Sequence, residues 1–400
     1  MGLIHAERLH VLIPISTRTI EGNLDSSIRA PRRHREELAS FVHRPRFKRV
    51  LYNPPDEYDP PFSTNLAALE SIIGTLDIED DPYVQALREQ LAKVAPNSNA
   101  QARIDQKLSK VILKQNSFTH KGLRDFARTA SDICYDLGVW AADWYVGTVV
   151  EQARRMANPY NRFIPNWKDA EKAYLLSILD QVVITPSSLH PDDIVEDSSD
   201  KVRALVECLL AEKADAESHN ESYSGLIFVT RRDAVITLAE LLSHHPLTAN
   251  LFHIGCLLGT SDNYQRHSFL DITRTLLKQS QEETLMDFKI GERNLIVSTS
   301  VAEEGIDIQA CGSVIRWDPP QNMASWAQSR GRARRKRSTF TLMFEDGGVQ
   351  QKDVAQWECL ERQMIQLYTD NERRVSMKYD QDAYGEHDEE ELEYRVESTQ

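Results

Sequence analysis

Arg330, Arg332, Arg334, Arg335, Lys336 and Arg337 place six cations in eight consecutive positions. Gly331 lets the backbone close in among them, and Gln328 adds an amide two residues before the first. Guanidiniums bind phosphate oxygens in pairs, so the chemistry such a run suits is a grip on polyphosphate. A basic stretch of about five to eight residues can also be a localisation signal. Gln328 and Gly331 at fixed offsets, just after a strand and a helix, argue against that.

Two other groups have chemical potential. Thr230, Arg231 and Arg232 follow the apolar run Gly225–Val229. A hydroxyl and a guanidinium at a strand end can hold a phosphate, and the same residues also suit an ordinary helix N-terminus with exposed arginines. Thr299 follows Leu295–Ser298 and opens a stretch that carries Gly305 and Asp307. Thr299 can donate to a phosphate, Gly305 allows close backbone approach, and Asp307 can accept from a ribose hydroxyl. A plain strand–turn–strand connection with acidic surface residues fits that stretch as well.

The elements that must position these groups are legible after Lys201. Short apolar runs at 225–230, 249–254, 294–299, 313–317 and 339–344 alternate with helical segments, notably 233–244 and the stretch leading to Lys289. Strands apolar on both faces with helices between them predict a doubly wound parallel α/β sheet. Ligands in such sheets collect beyond the carboxyl ends of the strands. Before Lys201 the pattern is helical. Ala130, Ile133, Cys134, Leu137, Trp140, Ala141, Trp144 and Tyr145 fall on one stripe at steps of three and four, which predicts a bundle helix with its aromatics in the core. Residues 23–49 read as basic and helical, 53–61 as a proline-rich linker, and 191–200 as an acidic spacer. His244 and His245 read as a surface pair at a helix end.

The chain has 400 residues and a formal net charge of −14, of which −8 falls in residues 351–400. That tail reads as a solvated acidic segment, so the global charge does not weigh against local phosphate recognition. Five scattered cysteines without a CxxC pair argue against a zinc site or a disulfide scaffold and for reduced thiols in cytoplasm or nucleus. No apolar run approaches the roughly 18 residues that cross a bilayer, so no membrane partner is expected.

The strings GLIFVTRR, NLIVSTSVAEEGIDI and QSRGRARR resemble, in order and spacing, the fourth, fifth and sixth motifs of superfamily 2 RNA helicases. Their wording is similar to the branch of Dicer proteins and antiviral RNA sensors. NLDSSIRAPRRHREELASFVHRP resembles the segment that leaves the first helicase lobe in Dicer proteins, and DICYDLGVWAADWYV the helical insertion of fungal Dicer-like proteins. The resemblance implies a RecA-like C-terminal lobe at 200–347, preceded by an all-α insertion at 56–195. Residues 1–55 would be an N-terminal segment and connector, and 348–400 a helical connector and acidic tail, with Trp357, Met364 and Tyr368 on one helical face.

The resemblance also implies roles. Arg332 and Arg335 would reach the γ-phosphate of ATP on another lobe, with Arg334 a rival for the second position. Gly305, Asp307, Gln328 and Gly331 would lie at the nucleotide or between lobes. Thr230, Arg231 and Thr299 would hold the RNA backbone, and the insertion would clamp double-stranded RNA by shape and 2′-hydroxyls. ATP and Mg²⁺ are the family's cofactors. Double-stranded RNA and an intact Dicer-like protein are the partners to expect, in RNA interference and antiviral defence. A phosphate loop GxxxxGK[ST] and a DExH strand end, which hold ATP and magnesium, do not occur in the 400 residues, nor do ribonuclease III carboxylates. The expectation is therefore an incomplete ATP site, without metal ligands, and no ATPase activity of the chain alone.

Overall fold

The computed structural model describes residues 43–157, 168–258, 280–302, 308, 311–348 and 354–360. Residues 43–347 form one compact unit, and a second comprises the remaining chain, of which 354–360 is helical. Among the described residues, β1 (Arg46–Tyr52), β2 (Gly225–Phe228), β3 (Ile254–Leu257), β4 (Leu295–Ser298), β5 (Ser313–Arg316) and β6 (Thr339–Glu345) make one sheet in the order β1-β6-β5-β2-β4-β3. Every pairing is parallel. β2, β4 and β5 are buried throughout, which is what helices on both faces of a sheet produce. This is the RecA-like α/β arrangement that the motif strings imply.

Three helices of the lobe serve the site. α8 (Asp200–Ser218) starts at Ser199, whose hydroxyl accepts from Val202 N, and buries Val202, Leu205, Val206 and Leu209 at steps of three and four. α9 (Arg232–His244) is buried on nearly all sides, because it lies between the sheet and the helices that precede the lobe. α11 (Met323–Arg330) starts at Asn322, whose side chain accepts from Ser325 N. α10 (Gln281–Ile290) opens on a capping box, Ser280 with Glu283, that satisfies two backbone N–H groups.

The preceding helices are α1 (Thr64–Gly74), α2 (Pro82–Lys93), α3 (Asn99–Lys114), α4 (Phe118–Leu137), α5 (Val139–Ala157), α6 (Asp169–Leu179) and α7 (Pro191–Glu196). Trp140, Val146 and Leu179 from these helices share one buried apolar cluster with Leu205, Ile227, Leu238 and Trp317 of the lobe. The core therefore runs on across residues 195–200. α2 and α3 keep a small core of their own, made by Ile78, Val84, Leu87 and Leu108.

The structure corrects several sequence expectations. Residues 46–52 are a strand, paired with β6 from Arg46↔Thr339 to Tyr52↔Glu345. Their alternating Phe47, Arg49 and Leu51 suit an edge strand as well as a basic helix. The remainder of the predicted basic helix, 23–42, lies outside the described residues. The bundle stripe is two helices, α4 and α5, broken at Gly138, whose φ of +107° no other residue type adopts easily. A Cβ there would sit 2.1 Å from Asp197 O. The acidic spacer is α7, anchored by buried Ile194. The strand expected at 249–254 starts only at Ile254, because Leu251 and Phe252 donate their N–H groups back to Thr248 O in a turn. His245 is buried, and its Nδ1 accepts from Leu247 N at 3.3 Å. Trp140 and Tyr145 do fill the core, while Trp144 is only partly buried.

Candidate phosphate-binding rims

The in-register pairs Phe228↔Ser298 and Phe228↔Arg316 bring the ends of β2, β4 and β5 level. Thr230, Thr299 and Asp318 therefore share the carboxyl rim of the sheet. Thr230 is exposed, and its backbone N donates to Asp318 Oδ2 at 2.6 Å. Thr299 is buried and donates its N–H to Leu257 O at 3.2 Å. Arg231 is the N-cap residue of α9. Its Nη2 donates to Asp233 Oδ2 at 2.7 Å, and its Nη1 donates to Asp132 on α4. Burial works against its charge, but Asp233 and Asp132 outweigh that and hold its pKa above the ordinary value.

Beneath this rim lies a polar node that the sequence did not disclose. Lys201 Nζ donates to Asp136 Oδ1 at 2.6 Å and stands 3.6 Å from Asp318 Oδ1, with its side chain 6% exposed. The ammonium also stands 4.2 Å from the Trp317 ring centroid and 5.1 Å from that of Tyr52, distances at which aromatic faces attract cations. Trp317 Nε1 donates to Asp136 Oδ2 at 2.6 Å. One lysine thus ties α4, α8, β1 and the turn after β5 together. Burial opposes its charge, yet Asp136 and then Asp318 prevail and raise its pKa. Arg316, buried in β5, donates to Asp318 O and Ser325 Oγ, which fixes the turn and the start of α11. Lone residues in amphipathic elements give no spacing signal, so only the full topology exposes these roles.

The arginine run lies elsewhere. α11 carries Gln328, half-buried, back across the sheet and ends at Gly331. Ala333 is buried and bridges to Cys311, the second residue before β5, and Arg335 Nη1 donates to Ser222 O at 2.6 Å, three residues before β2. Arg332, Arg334 and Arg335 therefore border the amino ends of the strands, and not the carboxyl rim that the sequence reading singled out for ligands. A helix returns the chain to the starting edge of a parallel sheet, and the run comes after that helix. Arg334 is exposed, with Nε donating to Gly331 O at 2.6 Å. The loop is pinned by Ala333 and Arg335 and shows Arg334 to solvent. Arg330 stacks on Trp326 at 4.3 Å. Gly305 and Asp307 lie outside the described residues. Among the described residues no cluster of three His, Cys, Asp or Glu side chains could hold a metal, and no helix is long and apolar enough to cross a membrane.

Residues 200–337 match the helicase conserved C-terminal domain. Dicer-like protein 2 of Neosartorya fischeri is 39% identical over 360 residues, which cover 89% of this chain and 24% of that protein. Its counterpart in Aspergillus terreus is 36% identical over 359 residues, with the same two shares. That of Cryphonectria parasitica is 32% identical over 362 residues, 90% of this chain and 23% of that protein. The chain spans about a quarter of the length of the curated relatives it matches. The solved helicase domain of Pyrococcus furiosus Hef matches at 16% identity and a TM-score of 0.37, over 84% of this chain and 63% of that one.

Proposed function

We propose that this chain, similar over residues 200–337 to the helicase conserved C-terminal domain and along about nine-tenths of its length to fungal Dicer-like protein 2, is the RNA-gripping, arginine-donating half of a double-stranded-RNA-dependent motor of RNA silencing. The observation that supports this reading is that the two residue groups lie at opposite ends of the strands of one sheet. Thr230, Arg231 and Thr299 occupy the carboxyl rim, where an RNA backbone would lie. Arg332, Arg334 and Arg335 occupy the amino-end border, where they would meet ATP held with Mg²⁺ on a neighbouring lobe. Bound ATP would supply the phosphoryl group whose charge these guanidiniums balance. Gln328 lies in the last turn of the helix that feeds that loop, and Gly331 caps the helix.

Guanidiniums offered from a second body contribute roughly 10³–10⁵ in turnover in comparable phosphoryl-transfer enzymes, yet they do not hold the nucleotide themselves. Purified chain with Mg²⁺, ATP and duplex RNA should therefore hydrolyse no ATP. It should still bind the duplex, with affinity falling steeply between about 50 and 200 mM salt. Turnover that Arg332→Ala abolishes would overturn the first expectation, and salt-independent binding the second.

A second reading is favoured by the continuous core that joins the helices to the lobe. A body of that kind can grip duplex RNA, or dock on an intact Dicer-like partner, without nucleotide. Affinity for the duplex that is unchanged by ATP distinguishes this reading from a nucleotide-coupled one.

A further inference from the structure

Arg231 is the cation on the carboxyl rim best placed for an RNA phosphate, and the helical insertion already holds it. Asp132 lies on α4, 99 residues earlier in the chain, and accepts from Arg231 Nη1. Asp233 takes the other end of the guanidinium. Both partners of the α4 contact keep access to solvent, at 37% for the Arg231 side chain and 53% for that of Asp132. They line a groove of about 230 Å³ between α4 and the rim, together with Asp136 and Asp318. Lys201 reaches these last two carboxylates from below. Four carboxylates, counting Asp233, thus face two cations around the groove. A phosphodiester entering it would meet an acidic surface.

We infer that Asp132 is a latch, by which the helical insertion occupies the phosphate seat of Arg231 until duplex RNA displaces it. RNA binding then requires α4 to yield the guanidinium, which links occupancy of the rim to the position of the insertion against the lobe. This inference rests on the assignment of RNA to the carboxyl rim. Exposed ion pairs are weak, so the latch is a bias of a few-fold and not a block.

The test is duplex-RNA affinity, read by anisotropy of a labelled duplex at about 50 mM salt, for the full chain and four single variants. Asp132→Asn should bind about two- to fivefold more tightly than the original chain. Asp132→Glu, which keeps the charge, should not. Asp125→Asn, on the same helix but paired with Lys121 and Arg128, reports the generic effect of removing a negative charge and should also leave affinity unchanged. Arg231→Ala should weaken binding, and adding Asp132→Asn to it should change nothing further. An equal gain from Asp132→Asn with and without Arg231 would reduce the effect to bulk charge and overturn the latch. No gain from Asp132→Asn, with Arg231→Ala still weakening binding, would overturn the latch and leave the RNA rim standing. Absence of duplex binding in every form would remove both.

Discussion

Lys201 shows how much a single charge can organise. It is nearly inaccessible, and its two carboxylate partners keep about a third of their exposure, 31% for Asp136 and 29% for Asp318. Removing one member of a buried ion pair leaves the others without compensation. With both carboxylates still partly hydrated, Lys201→Met should cost about 2–3 kcal/mol, measured as a drop in the urea midpoint at neutral pH. The raised pKa gives the pH dependence its sign. A cation whose folded pKa exceeds its unfolded 10.5 contributes fully below that value and loses its contribution as pH rises through the folded one. The stability gap between the original chain and Lys201→Met should therefore hold from neutrality to about pH 10 and shrink at higher pH. His120 has the opposite sign. Burial lowers its pKa below 6.5 against the pull of Asp81, and its Nε2 lies 2.9 Å from Tyr174 OH. Its contribution is present above 6.5 and is lost as pH falls toward the lowered value. His120→Gln, which can still meet Tyr174, should lose less stability than the original chain between about pH 7.5 and 5.5. Thr230, Arg231 and the arginine run were legible as residues because they sit in short, ordered strings. Lys201 and Asp136 were not, since they are 65 residues apart and meet only through the fold.

Expectation and structure differ among the elements in boundaries and, at β1 and α7, in kind. The apolar runs at β2, β4, β5 and β6 announce themselves because buried parallel strands are apolar on both faces. β1 does not, because as an edge strand it carries Arg46, Lys48 and Arg49, the residues that protect an exposed edge from stray pairing. Its place is set by a contact no local pattern contains. Lys48 Nζ lies 3.3 Å from buried Glu212 of α8, and Thr341 Oγ1 of β6 donates to the same carboxylate at 3.1 Å. The break between α4 and α5 was hidden because the apolar spacing continues across it. Ser199 N donates to Leu137 O, and Gly138 bridges to Ser198, so the chink between the helices is filled by the turn that leads into α8. Gly138→Ala would need a left-handed conformation and would drive a methyl into backbone at 2.1 Å. It should cost about 3–5 kcal/mol, seen as a loss of several degrees or more in thermal midpoint. Gly74→Ala is the control, because nothing lies within 4 Å of the added carbon.

For the whole molecule, the relevant fact is that α9 is apolar on nearly all sides and covered by both the sheet and α5. Neither layer is complete without the other. Urea unfolding followed by far-ultraviolet circular dichroism and by fluorescence should give superimposable transitions, because Trp140 of the helices and Trp317 and Trp326 of the lobe are buried within one compact unit. Two separate transitions would show that helices and lobe fold independently. The way β1 joins the sheet also imposes an order of events during synthesis. Its hydrogen-bonding partner β6 lies almost 300 residues downstream, and a ribosome adding about 5–20 residues per second takes roughly 15–60 s to deliver it. For that interval the nascent strand waits unpaired while the local helical contacts form, and the sheet closes on this edge only once β6 has been made. The same positive side chains that make β1 hard to read in the sequence are what keep it available until then.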